Sequence, residues 1–171
     1  MWKEKIGKVS PESYNDFNVL IIGAGMSGLG FAAKLKSCGI NFEILEKNSG
    51  VGGTWLENSY PDCGVDTPNH FYSYSFNRNP DWSGYFSKRD ELRDYFEDCA
   101  TKFNVRDHIR FETEVLTSAY EETTRKWKLH IQLKKHITSI QQKRVVISIA
   151  TARWNIERTN IKDIQKIKNI N

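Results

Sequence analysis

The run Phe17-Asn-Val-Leu-Ile-Ile22-Gly23-Ala-Gly25-Met-Ser-Gly28, followed by an amphipathic segment to Gly39 and by Asn41-Phe-Glu-Ile-Leu-Glu46-Lys47, decides how this chain is read. Phe17–Ile22 is almost continuously apolar, the pattern of a parallel strand covered on both faces. From about Met26 a helix carries Leu29, Ala32, Ala33 and Leu35 inward and Lys34 and Lys36 outward, and Gly39 closes it as a left-handed cap. Phe42–Leu45 is a second strand, so the segment predicts a right-handed βαβ crossover. Gly23 permits the sharp turn, Gly25 lets main chain approach a pyrophosphate, and Gly28 brings helix close to sheet. The helix start offers unpaired N–H groups to a diphosphate. Glu46, ending the second strand, suits a free ribose 2′-OH, which favours FAD or NAD over NADP at this site.

With 171 residues, 39% hydrophobic and 27% charged, the chain is long enough for one domain, or one and a fraction, around a real core. A net charge of +4, with Lys and Arg interspersed among acids, argues against a nucleic-acid partner. Cys38, Cys63 and Cys99 lack CxxC spacing and read as reduced thiols, which points to a cytoplasmic protein. Met1–Asp16 mixes Lys3, Lys5 and Lys8 with Glu4, Glu12 and Asp16, without the apolar centre of a signal peptide. The longest apolar run is broken by glycines and is too short for a transmembrane span. His70, His108, His130 and His136 are scattered without metal-ligand spacing, so no metal site is expected.

Residues 1–15 read as a flexible polar arm. Asn48 to Ser87 lacks helical or strand periodicity and interleaves Gly, Pro, Asn, Asp and Ser with aromatics. So long a stretch inside a compact domain points to a functional loop system, here one that lines a ligand. Ser87, with Asp90 three positions on, predicts a capped helix. Its stripe is Leu92, Tyr95, Phe96, Cys99, Ala100 and Phe103, and Cys99 on that stripe is packing rather than chemistry. Strands are predicted over Ile109–Phe111, Val115–Tyr120, Trp127–Leu133 and Arg144–Ile149, the third with clean alternation.

Several of these segments together resemble the amino-terminal, FAD-binding portion of class B flavoprotein monooxygenases of the Baeyer–Villiger type. They are Gly23-Ala-Gly25-Met-Ser-Gly28, Glu46, Val51-Gly-Gly-Thr-Trp55, Tyr60-Pro61, Asp66-Thr-Pro-Asn-His70 and Phe71-Tyr72-Ser-Tyr-Ser-Phe76. Asn79-Pro80-Asp81-Trp82-Ser83 and Ile109-Arg-Phe…Thr113-Glu-Val115 extend the likeness, and Cys63-Gly-Val-Asp66-Thr-Pro-Asn-His70 is most similar to the 4-hydroxyacetophenone monooxygenase branch. The resemblance implies an α/β fold: a Rossmann-like, three-layer FAD/NAD(P)-binding domain with a parallel sheet and a small antiparallel β-meander, incomplete relative to the family. It implies domain limits of 16–152 for the first part of that domain and 153–171 for a truncated, linker-like tail.

By the same likeness, the backbone of Gly25, Met26, Ser27 and Gly28 would cradle the FAD pyrophosphate after the Gly23 turn. Glu46, with Lys47 beside it, would hold the adenosine ribose. Gly53, Thr54 and Trp55 would line the flavin, Asp66 and Tyr72 would lie near the isoalloxazine, and the backbone at Val115 would meet the adenine. Asp66 would be the catalytic member, orienting an arginine beyond Asn171. The activity implied is NADPH-dependent oxidation of a small ketone or heteroatom substrate through a C4a-peroxyflavin. The family's second glycine fingerprint for NADPH does not occur in these residues. Asp62 and Ala152 stand where the family has glycine. A non-catalytic FAD-binding remnant, or less favourably an NAD-binding module, is therefore carried beside the enzyme reading. A sheet edge left exposed by missing segments is a candidate for association.

Overall fold

A computed structural model describes residues 18–133, 136–142 and 144–147. The arm at 1–15, the tail at 153–171, Ala152, and the ends of the first and last expected strands (Phe17, Ser148 and Ile149) lie outside the described residues. The first strand, β1, is Asn18–Ile22. It leads through the glycine turn into helix α1, Met26–Ser37, and back into β2, Asn41–Leu45. The chain pairs β1 and β2 in parallel from Asn18↔Asn41 to Ile22↔Leu45, the expected βαβ unit. Gly39 has φ +70, its N–H donates to Lys36 O at 3.1 Å, and Ile40 N–H donates to Leu35 O at 3.0 Å. That pair of bonds around a left-handed glycine closes the helix as the sequence requires.

Residues 48–88 are mostly turns and bends, but they contain one short helix the periodicity did not announce, α2 at Thr54–Glu57. Helix α3 spans Arg89–Lys102. Its N-cap is Lys88 rather than Ser87, and no side chain caps it. Ser87 is otherwise engaged: its N–H donates to Asn69 Oδ1 at 2.9 Å and its hydroxyl to Glu91 Oε2 at 2.6 Å. Strand β3 is only Ile109–Arg110 and adds in parallel to the outer side of β2. An antiparallel meander follows, β4 (Thr113–Glu121), β5 (Lys126–Leu133) and β6 (His136–Gln142), in the order β4-β5-β6. β6 was not expected, because His136-Ile-Thr-Ser-Ile-Gln-Gln142 has no clean alternation. Finally β7, Arg144–Ile147, pairs in parallel with β1, giving the order β3-β2-β1-β7.

Side-chain alternation along β1 sorts the core into two clusters. Val19 and Ile21, with Phe42 and Ile44 of β2, face α1 and α3 through Leu29, Ala32, Leu35, Leu92, Phe96 and Ala100. Leu20, Ile22 and Leu45 face the meander, meeting Val115, Leu129 and Ile131. The result is three layers: helices, parallel sheet, antiparallel sheet. Each fully buried side chain of this size contributes about 1.5–3 kcal/mol, so the parallel sheet is the shared wall that makes both outer layers stick. Among the described residues no helix is long and apolar enough to cross a membrane.

Candidate functional site

The site is built where β1 ends. Gly23 has φ +94, a conformation that favours glycine, and its N–H donates to Leu45 O at 2.8 Å, tying the turn to the end of β2. Gly25 is extended (φ −81, ψ −172) and precedes α1 without any side-chain cap. The first N–H groups of a helix have no intrahelical acceptor, so this uncapped end is open to an anion.

Glu46 is only 3% exposed, and its side chain points at the turn. Its Oε2 accepts the Ala24 N–H at 2.6 Å and its Oε1 accepts the Asn48 N–H at 2.9 Å. A carboxylate offers about four lone-pair positions, so two remain for further donors. The backbone of Glu46 is also fully used: its N–H donates to Arg110 O at 3.0 Å, and its carbonyl accepts from Thr113 N–H at 2.9 Å. The acid is therefore held rigidly beside the glycine turn.

A second glycine turn backs onto the first. Gly52 donates its N–H to Ala24 O at 3.0 Å, and Gly52 and Gly53 have φ +116 and +55. A Cβ on Gly53 would lie 3.0 Å from Gly25 Cα, tight enough that the neighbouring turn would have to give way. Thr54 then opens α2, and Trp55 is buried, its Nε1–H donating to the Tyr72 hydroxyl at 3.2 Å with the rings edge to face at 5.7 Å. Gly23, Gly25, Met26, Ser27, Gly28, Glu46, Gly53, Thr54, Trp55 and Tyr72 thus come from four separate stretches to one end of the sheet.

The remaining candidates stand elsewhere. Lys47 is exposed and pairs with Glu57 at 2.9 Å, turned toward α2. Val115 is buried in the meander layer, against the opposite face of the sheet, beside a bulge between Val115 and Thr117. Asp66 is exposed and accepts a long hydrogen bond from Thr67 Oγ1, at 3.4 Å. His70 is exposed, and His108 packs on Phe42 with ring centroids 4.6 Å apart. Among the described residues no group of His, Cys, Asp and Glu could hold a metal ion.

Sequence reasoning passed over the side chains that fix the loop. Asn69, at 0% exposure, donates from Nδ2 to Gly84 O (2.8 Å) and Ser87 Oγ (2.6 Å) and accepts from Ser87 N–H. Tyr74 and Tyr95 are likewise buried, and burial pushes both phenols far above the ordinary range, so they act only as neutral hydrogen-bonding groups. An asparagine in a loop reads as a turn former, so nothing in the pattern marked Asn69. Gly30 inside α1 did carry a signal, since a glycine in a helix interior usually marks close packing.

Known proteins share this arrangement. Residues 21–89 match a family model described as an NAD(P)-binding Rossmann-like domain. A Baeyer–Villiger monooxygenase of Streptomyces coelicolor is 44% identical over 112 residues, 65% of this chain and 22% of that protein. The chain is homologous to part of the Baeyer–Villiger monooxygenases. An FAD-binding monooxygenase of Emericella nidulans is 37% identical over 119 residues, 68% of this chain and 20% of its own length. The solved structure of an oxidized steroid monooxygenase bound to NADP superposes with a TM-score of 0.69 at 29% identity, covering 80% of this chain and 27% of that one. The chain thus spans about a fifth of the curated relatives it matches (22% and 20%). The Rossmann-like fold with a parallel sheet and a separate antiparallel sheet is that of these Baeyer–Villiger enzymes.

Proposed function

We propose that this chain binds FAD across its paired glycine turns, as the dinucleotide-holding part of a Baeyer–Villiger-type monooxygenase. The observation that carries the reading is the contact of Gly25 with Gly53 beneath the uncapped start of α1, with Glu46 anchored beside it. A dinucleotide needs bare main chain, a helix start and an acceptor for ribose hydroxyls, and all three are present. The backbone of Gly25, Met26, Ser27 and Gly28 would hold the diphosphate, and Glu46 would accept from the adenosine ribose. Gly53, Thr54, Trp55 and Tyr72 would bound the flavin side, and Val115 the adenine side. Asp66 is exposed enough to meet a group supplied from outside these residues. Lys47, engaged with Glu57, would contribute through field rather than contact.

When bound, FAD supplies the oxidative chemistry, with NADPH as reductant and a small ketone or heteroatom compound as substrate. This chain's own residues bind and orient the cofactor. Its 171 residues contain one glycine fingerprint, which supports cofactor binding as the activity it can carry unaided. The free thiols Cys38, Cys63 and Cys99 support a reducing, cytoplasmic setting. Among the described residues the parallel sheet ends at β3 and β7, which supports association by strand addition.

Titration of the purified chain with FAD, and with NAD in parallel, tests the reading by flavin fluorescence and thermal shift. FAD should bind saturably and raise the melting temperature. A shift with NAD and none with FAD would replace this reading with a simple NAD-binding module. Glu46→Ala should weaken FAD binding about tenfold or more, as expected when hydrogen bonds to a charged acceptor are lost. Unchanged affinity would place the ribose elsewhere.

A further inference from the structure

We propose that Tyr74 is a positioning residue for the dinucleotide turn: a phenol strut that ties the first turn of α1 to α3. The inference rests on the FAD reading for its ligand, but its geometry stands on this chain alone. Helix α1 carries Gly30 in its interior, where alanine would ordinarily be favoured. The reason is Tyr74, whose Cε1 would lie 2.8 Å from a Cβ at that position. The phenol reaches past this glycine into the helix. Its hydroxyl donates to the carbonyl of Met26. Met26 is the first residue of α1, between Gly25 and Ser27.

The other end of the strut is fixed to α3. The Tyr74 N–H donates to the Tyr95 hydroxyl at 2.8 Å, and that hydroxyl donates to Asn77 O at 2.7 Å. Asn77 is held in turn, donating to Cys99 Sγ at 3.1 Å and accepting from Lys102 Nζ at 2.6 Å. Tyr95, Cys99 and Lys102 follow the four- and three-residue spacing of one helix face. The ring itself cannot swing: it stacks on Phe76 at 4.9 Å and 10°, and meets Phe96 edge-on at 5.9 Å.

A helix frays first at its ends, where the opening N–H groups lack partners. Those at the start of α1 are the ones offered to a diphosphate. Pinning the Met26 carbonyl to a buried, immobile phenol orders that turn before ligand arrives, which lowers the ordering cost of binding. A residue that merely fills the core would add stability without doing this.

The test uses the full chain, with Tyr74→Phe set against wild type. FAD affinity should fall about fivefold, the equivalent of one hydrogen bond. In the ligand-free protein, amide exchange at residues 26–30, resolved by NMR, should quicken about fivefold while β5 is unchanged. A lower melting temperature with wild-type affinity and wild-type exchange at 26–30 would make Tyr74 an ordinary core residue and overturn the strut. If wild type binds no FAD yet the variant loosens 26–30, the strut stands and the FAD reading falls. If wild type binds FAD and the variant matches it in affinity and exchange, the FAD reading stands and the strut falls. Should Tyr74→Phe not fold, Gly30→Ala decides, because its Cβ would lie 2.8 Å from Tyr74 Cε1 and displace the phenol: faster exchange at 26–30 supports the proposal, and exchange at the wild-type rate overturns it.

Discussion

Residues 18–57 and residues 58–88 meet at one end of the sheet, yet side chains bear a different share of the holding in each. In the first region main chain binds main chain: Gly23 N–H to Leu45 O at 2.8 Å and Gly52 N–H to Ala24 O at 3.0 Å. Even its buried acid, Glu46, spends its side chain on the N–H groups of Ala24 and Asn48. In the second region main-chain bonds such as Val65 N–H to Ser87 O and Asn69 N–H to Tyr85 O, both 3.0 Å, are joined by buried side chains that hold the loop together. Asn69 bridges Gly84 and Ser87, Glu91 accepts from the Ser83 N–H at 2.8 Å and from two serine hydroxyls, and Tyr95 holds the Tyr74 N–H. A main-chain site tolerates most side chains but resists a Cβ where its glycines take positive φ, as at Gly23, Gly52 and Gly53. A side-chain-held loop depends on the identity of a few polar residues.

The sharpest way to break this contrast is Asn69→Leu. It leaves the Ser87 N–H and the Gly84 carbonyl without their buried partner, at a cost of about 1–3 kcal/mol for each group, so about 2–6 kcal/mol in all. Urea denaturation should show the loss as a lower midpoint, and limited proteolysis should cut within 58–88 before anywhere else. A loss below about 1 kcal/mol would mean the loop is not hung on this residue. Next in size is Gly53→Ala, which forces alanine into φ +55 and sets its Cβ 3.0 Å from Gly25 Cα. It should cost about 1–3 kcal/mol and weaken FAD binding together, because relief requires one glycine turn to retreat from the other. Stability lost without loss of FAD affinity would separate the glycine contact from the ligand.

The same contrast explains what could be read from the residues alone. The region 18–57 declares itself because main-chain requirements select residue types with little ambiguity. Gly39 at φ +70 and the apolar run of β1 are local demands with local signatures. So the βαβ unit, the glycine turn and the acid were legible, and homology to part of the Baeyer–Villiger monooxygenases agrees with the motif resemblance. The loop was legible only as a loop. Asn69 and Ser87 act on one another across 18 residues, and Tyr74 reaches Met26 across 48, separations at which no periodicity exists to read. The spacing of Ser87 to Asp90 suits a cap, whereas its N–H and hydroxyl are committed to Asn69 and Glu91. β6 was missed for a similar reason: its order comes from pairing with β5, from Trp127↔Gln142 to Leu133↔His136, rather than from its own alternation.

The smallest effect belongs to Lys47 and Glu57, the ion pair that joins the end of β2 to α2 at 2.9 Å. Partial burial alone would push Glu57 up, but hydrogen bonds from Asn48 and Lys47 outweigh it and hold the carboxyl below its ordinary range. The hydrogen bond to Glu57 raises Lys47. With the carboxyl depressed in the fold, its contribution is present above the unfolded pKa, about 4.3, and is lost as pH falls through the lower folded value. With the ammonium raised, its contribution is complete below the unfolded pKa, about 10.4, and is lost as pH climbs through the higher folded value. Half-exposed charges are screened, so the pair is worth less than about 1 kcal/mol. Glu57→Gln should therefore flatten the acid limb of a stability profile slightly and leave neutral stability within that margin. If it instead cost as much as Asn69→Leu, the region 18–57 would depend on side-chain identity as its neighbour does, and main-chain bonding could no longer be what separates them.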